Sequence, residues 1–133
     1  QGSMLAGMAF ANAPVAAVHA LAYPIGGLFH QPHGLTTSLM LTPVMRFNAP
    51  ACADQYGELS AALGGPATDS AFIERMAAII ADMPMAQRLS DVGVAGTDLD
   101  RMATDALKVQ RLLINNPRAV TVDDARALYA QAL

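Results

Sequence analysis

An all-α fold, a multi-helix bundle, is what this sequence predicts, on three observations. Alanine, leucine and methionine dominate, runs of β-branched residues are scarce, and apolar residues recur at spacings of three and four along most segments. No segment reads as a strand. The 133 residues suit a single domain, and by surface scaling a chain of this size buries roughly two-thirds of its unfolded surface.

The elements follow in order. A first helix is expected from about Ser3 to Ala11, with Met4, Gly7, Met8 and Ala11 along one close-packing face. Pro14 suits the first turn of a second helix, with Asn12 just ahead of it as a cap. That helix carries His19. Pro24 lacks a donor for the Ala20 carbonyl, so the helix is expected to kink or end near Tyr23 and to finish at Gly26-Gly27. The segment Gln31-Pro32-His33-Gly34 opens a third helix to about Asn48, interrupted at Pro43, and Ala53 to Leu63 reads as another, stopped by Gly64-Gly65-Pro66. Ser70 to Met83 places Phe72, Met76, Ile79, Ile80 and Met83 on one stripe limited by Pro84, and Met85 to Leu89 reads as a short helical turn. Thr97 with Asp100 is a capping-box variant that opens a helix to about Ile114, ended by Asn115-Asn116-Pro117. Thr121 with Asp124 repeats the device before a final amphipathic helix through Leu128, Tyr129 and Leu133.

Composition excludes some functions. A net charge of −3 with only 8 Lys and Arg, none clustered, and no tryptophan argues against nucleic acid as a partner. Apolar residues make up 53% of the chain and charged residues only 14%, outside the usual proportions. The first charged side chain other than histidine is Arg46, so the N-terminal third is expected to be buried. A membrane span is disfavoured because Asn12, Pro14, His19 and Pro24 interrupt the apolar stretches, which also lack basic flanks. A signal peptide is disfavoured by the missing basic start. The single cysteine, Cys52, cannot form an internal disulfide, which fits a reducing, cytoplasmic location.

All three histidines, His19, His30 and His33, lie between positions 19 and 33 in apolar sequence broken by glycine and proline. Imidazole is the commonest protein ligand for zinc and a good one for ferrous iron. On one unbroken helix the rings of His19 and His33 would stand about 21 Å apart at 1.5 Å per residue, so joint ligation requires the chain to fold back. Pro24, Gly26, Gly27 and Pro32 are the expected breaks. The spacing matches neither the His-Glu-x-x-His pattern of zinc proteases nor a paired-cysteine module. Pattern alone therefore leaves open both metal ligation and a hydrogen-bonded place in the core.

A longer string narrows the choice. Gly7-Met-Ala-Phe10-Ala-Asn12-Ala, Val18-His19-Ala-Leu-Ala-Tyr23-Pro-Ile-Gly-Gly, Phe29-His30-Gln-Pro-His33-Gly34 and Pro43-Val-Met-Arg46-Phe47-Asn48 together closely resemble the iron-containing (group III) alcohol dehydrogenases. Asn116-Pro117-Arg118 with Thr121-Val-Asp123-Asp124 and Tyr129 is similar to the C-terminal region of that family. The resemblance spans nearly the whole chain.

It implies a helical C-terminal domain of a two-domain enzyme whose α/β N-terminal domain binds NAD(P) and supplies an aspartate and a histidine to the metal. His19 and His33 match the family's two metal-ligand histidines of this domain, with Fe2+ or Zn2+ as the ion. Tyr23 stands where several relatives carry a histidine near the substrate, and is expected to line the pocket. His30 falls where some relatives have asparagine or aspartate, close to substrate and nicotinamide, which makes it a candidate catalytic and cofactor-contacting residue. After His33-Gly34 the chain departs from the small-Asn-Ala sequence common in relatives and reads Leu35-Thr-Thr-Ser38. Phe10 and Phe29 are read as core or cleft wall, the core favoured.

The implied reaction is reversible hydride transfer between NAD(P) and a small-molecule alcohol or aldehyde. No strand, phosphate-cradling glycine loop and helix are legible in this chain. It is therefore expected to be a fragment, inactive alone and lacking the N-terminal domain, with exposed apolar surface that favours a homo-oligomer. Reduction of an oxo-acid, as in maleylacetate reductases, is the alternative within the same superfamily. A stand-alone helical metal-binding or dimerisation module, using all three histidines or none, is the alternative outside it.

Overall fold

The computed structural model describes residues 1–133. Seven α-helices and two short 3-10 turns make up the chain, as the spacing predicts. The helices are α1 (Gly2–Asn12), α2 (Ala17–Phe29), α3 (His33–Ala62), α4 (Asp69–Ala81), α5 (Leu99–Leu107), α6 (Gln110–Leu113) and α7 (Val122–Ala132).

Helix α2 is the centre of the bundle. Ala17, Ala20, Leu21, Ala22 and Ile25 are buried within it, and the alanines let α3, α5 and α6 approach closely. Leu39, Met40 and Val44 of α3, Met102, Ala103 and Ala106 of α5, Leu112 and Leu113 of α6, and Leu128 and Tyr129 of α7 belong to the same core, which has 18 buried residues in all. The phenol of Tyr129, fully buried, donates to the Leu21 carbonyl at 2.7 Å and ties α7 to the middle of α2. A smaller cluster of Met45, Ala49 and Ile73 joins α3 to α4, with the rings of Tyr56 and Phe72 5.5 Å apart beside it. Gly57 permits that packing, because a Cβ there would lie 3.0 Å from the Ala67 carbonyl oxygen. The left-handed Gly64 (φ 78°) turns the chain between the two helices.

Several expectations are corrected. The N-terminal third is not uniformly buried: every residue of α1 is exposed, including Met4, Leu5, Met8 and Phe10, so Phe10 is not a core residue. Apolar character there reflects a face without a neighbour in this chain. Helix α1 stands at 94° to α2, and no single helix is long and apolar enough to cross a membrane. Asn12 caps nothing in α2; its amide donates back to the Met8 carbonyl at 2.9 Å and closes α1. Pro14 lies in the connecting segment, and α2 begins at Ala17.

Proline proves a weaker breaker than the sequence implies. Helix α2 runs unbroken through Pro24, Gly26 and Gly27 to Phe29, because burial of Pro24 and its neighbours against the core outweighs the missing hydrogen bond. Helix α3 likewise contains Pro43 and Pro50, and its bend falls at Cys52 (φ −131°, ψ 17°), where the expected gap between two helices becomes a kink. Residues 85–88 are not helical. The Gln87 amide there donates to the carbonyls of Ile80, Met83 and Met85, and the 3-10 turn Leu89–Val92 starts where Leu89 enters the core. Thr97 and Asp100 do not form a box. Asp98 accepts from the Ala95 amide at 2.8 Å instead, while Asp100 pairs with Arg126 of α7. The expected helix to Ile114 is broken at Val109, which lets Leu112 and Leu113 turn into the core.

The second capping device forms as expected. Thr121 Oγ1 accepts from the Asp124 amide at 3.1 Å, and the Asp124 carboxylate accepts from the Thr121 amide at 2.9 Å. Between these ends, two motif segments that the sequence keeps far apart meet. Asn48 and Asn116 exchange amide hydrogen bonds of 2.9 and 2.8 Å, and the Arg118 guanidinium donates to the Phe47 carbonyl while lying 4.0 Å from the centre of the Phe47 ring.

Two predictions follow from these contacts. Asn48→Ala leaves the Asn116 side chain without its main partner in a part-buried setting, and is expected to cost about 1–3 kcal/mol in a denaturant titration. Hydrogen bonds from the Thr121 hydroxyl and amide hold Asp124 below its ordinary carboxylate pKa. A depressed folded-state pKa stabilises above the unfolded value and loses that contribution as pH falls through the folded one. Asp124→Asn should therefore flatten the loss of thermal stability as pH falls from about 5 through the carboxylate's depressed folded-state pKa, and an unchanged slope would refute the assignment.

Candidate metal centre

The chain reversal after α2 decides the site. His30 adopts a left-handed conformation (φ 54°, ψ 35°), which histidine tolerates better than most side chains, and it ends α2 where a glycine would ordinarily stand. Gln31 and the extended Pro32 (φ −58°, ψ 142°) then carry the chain back along α2 beside Gly26, whose Cβ position lies 3.6 Å from the Gln31 carbonyl oxygen. His33 opens α3 at the end of this return. Of the breaks expected at Pro24, Gly26, Gly27 and Pro32, the one at Pro32 forms, and His30 and Gln31 join it in making the reversal while α2 continues through the other three.

The result is convergence of His19 and His33. Their ring centres lie 5.1 Å apart with planes tilted by 49°. Two imidazoles sharing one ion at about 2.0–2.1 Å per nitrogen, roughly tetrahedral, would have centres about 5 Å apart. The pair therefore fits a common divalent ion. Both rings line a pocket of ≈ 280 Å³ together with Ala22, Tyr23, Gly26 and Gly27 of α2, while Gln31 and Thr36 close its side.

Electrostatics favour the ligating form. Burial first, and the neighbouring His33 second, push the pKa of His19 down. A neutral imidazole keeps its lone pair available at neutral pH. Thr36, almost wholly buried, donates its hydroxyl to the His33 carbonyl at 3.0 Å and steadies the first turn of α3. Gln31 donates to the Phe29 carbonyl at 2.9 Å and fixes the reversal. The amino end of α3, with no side-chain cap, also faces this region through His33, and its free amides favour negative charge nearby.

Tyr23 lines the pocket and is 54% exposed, so its phenol is free to meet a bound molecule. His30 does not line it. That side chain is exposed at the rim of the reversal, and its backbone has the structural task. Phe29 packs partly buried against the core, as expected. No group of three or more His, Cys, Asp or Glu side chains gathers anywhere in the chain, so the imidazole pair supplies two donors. Sequence reading missed Gln31, Thr36 and the lining role of the two glycines. Spacing could have found them: Ala22, Tyr23, Gly26 and Gly27 follow His19 in helical steps of three and four, and Thr36 follows His33 by three.

Fold and pocket together define an all-helical domain that offers a pair of imidazoles fit to share an ion. The family model described as the C-terminal part of the Fe-containing alcohol dehydrogenase family matches residues 1–133, and the chain belongs to that family. It is 36% identical to long-chain-alcohol dehydrogenase 1 of Geobacillus thermodenitrificans over 138 residues, covering 98% of this chain and 35% of that protein. It is also 36% identical to 1,3-propanediol dehydrogenase of Klebsiella pneumoniae over 137 residues, again 98% of this chain and 35% of the relative. A crystal structure of a 1,3-propanediol oxidoreductase superposes with a TM-score of 0.91 at 33% identity, covering 98% of this chain and 36% of the other. The alcohol dehydrogenase from Oenococcus oeni gives 0.88 at 33% identity with the same coverages. The chain thus spans about a third of the length of the curated relatives it matches.

Proposed function

We propose that this domain supplies two metal ligands and one wall of the substrate cleft in an NAD(P)-dependent alcohol dehydrogenase. The observation that carries the reading is the convergence of His19 and His33, with ring centres 5.1 Å apart, on the wall of a pocket. A separate α/β domain, of the kind the longer relatives have room for, would bind most of the NAD(P) and complete the ligand set.

His19 and His33 would hold the ion, Fe2+ or Zn2+. A divalent ion there supplies Lewis-acid polarisation of an alcohol or aldehyde oxygen. The chain's own residues do the rest on this side of the cleft. Mixed imidazole and carboxylate donors suit several first-row ions, so the histidines orient and retain the ion without selecting it. Thr36 and Gln31 hold the returning segment in place, which keeps His33 in register with His19. The free amides at the start of α3 favour the negative charge that develops on the substrate oxygen during oxidation. Tyr23 offers a hydroxyl that can hydrogen-bond that oxygen, a role for which relatives with histidine at this position would use a ring nitrogen. His30, exposed at the rim of the reversal, would contact the nicotinamide side of a bound cofactor.

Exposed apolar residues on α1 support docking against other parts of the protein or a homo-oligomer. Small-molecule alcohols or aldehydes are the substrates this pocket suits. It has room for a short carbon skeleton, and Ala22, Gly26 and Gly27 leave much of its wall apolar.

Changing even an outer-shell partner of a metal ligand costs about 10–100-fold in affinity, and removing a direct donor costs more. His19→Ala and His33→Ala should each strip the ion from the purified NAD(P)-linked enzyme during dialysis against a chelator, read by elemental analysis, and abolish alcohol oxidation. Full retention of metal and turnover in either variant would sink the reading. The 133-residue chain by itself should show weak zinc binding by calorimetry and negligible turnover with alcohol, iron and NAD. Tight zinc binding would instead identify a self-sufficient site.

A further inference from the structure

We propose that Gly27 determines how long an alcohol or aldehyde the cleft accepts, an inference that rests on the dehydrogenase reading above. His19, Tyr23, Gly26 and Gly27 follow one another at helical steps along a single face of α2, and all four line the pocket. The imidazole pair sits at one end of this row. Gly27 lies about 12 Å further along the helix axis at 1.5 Å per residue. The reacting oxygen belongs at the imidazole end, so the carbon chain that it carries is left the row toward the glycines.

The chemistry of that row fits a carbon chain. Beyond the histidines it presents the Ala22 methyl, the Tyr23 ring and two bare glycine backbones, and no Lys, Arg, Asp or Glu lines the pocket. A wall of this kind shelters methylene groups. The volume of ≈ 280 Å³ lies near the lower end of small-molecule sites, roughly 300–1,000 Å³, room for a short or medium chain.

The two glycines differ in a way that singles out Gly27. A Cβ at Gly26 would lie 3.6 Å from the Gln31 carbonyl oxygen, against the segment that delivers His33. At Gly27 it would meet nothing within 4 Å, and its backbone is helical. A side chain at 27 therefore takes up groove space without pressing on the ligand-bearing return.

Steady-state kinetics of the intact NAD(P)-linked enzyme with ethanol and 1-hexanol, for wild type, Gly27→Ala and Gly27→Leu, tests this. Each methylene that gains cover should raise kcat/KM by about fourfold in the wild type. Gly27→Leu should lower the hexanol-to-ethanol ratio of kcat/KM by about tenfold or more, and Gly27→Ala by less. The alanine variant improves local helix propensity, so a fold defect does not obscure its result. An unchanged ratio in both variants, or a change confined to the KM for NAD(P), overturns the role of Gly27 while leaving the dehydrogenase reading intact. A wild-type enzyme that oxidises neither alcohol overturns the dehydrogenase reading, and this inference with it.

Discussion

The reversal at His30 is the constraint on which the rest of this structure depends. A left-handed residue followed by Gln31 and the extended Pro32 turns the chain back along the helix it has just left. Without it, His33 would continue away from His19 on the helix axis, and the imidazoles would face different surroundings. The return is held by short-range hydrogen bonds from Gln31 and Thr36, where the segment passes Gly26 of α2 at ordinary contact distance.

What makes α2 a fit platform for this turn is its burial. Alanines and a single buried leucine and isoleucine let three helices close around it, and the Tyr129 phenol fixes α7 to its midpoint. The rigidity so produced extends to Pro24, which a lone helix in water would not carry through its middle. One face of α2 is given to the core and the other to the pocket. Small residues serve both faces, by close packing on one and by open volume on the other.

Charge takes little part in holding the bundle together. The four ion pairs are exposed or partly exposed, and such pairs contribute little stability. Polar order comes instead from neutral groups: the Thr68 and Thr121 hydroxyls accept from amides that the starts of α4 and α7 leave open, and the Asn48 and Asn116 side chains satisfy each other. Where the interior must accept a polar group, the group is matched, and no buried side-chain nitrogen or oxygen is left without a partner.

Local rules account for much of what the sequence alone determined: helical character, the Thr121–Asp124 cap, the stop after Asn115-Asn116-Pro117, and the candidacy of His19 and His33. Each depends on neighbours within about one helical turn, which a linear reading sees. Tertiary structure decided the rest. Pro24 and Pro43 stay inside helices because burial outweighs their local cost, Phe10 is exposed because nothing in this chain packs on α1, and Thr97 loses its capping role to the contacts of Asp98 and Asp100. The meeting of Asn48 with Asn116, and of one imidazole with the other, belongs to the same class, since no local rule specifies which distant surfaces come together when several helices bury a common core.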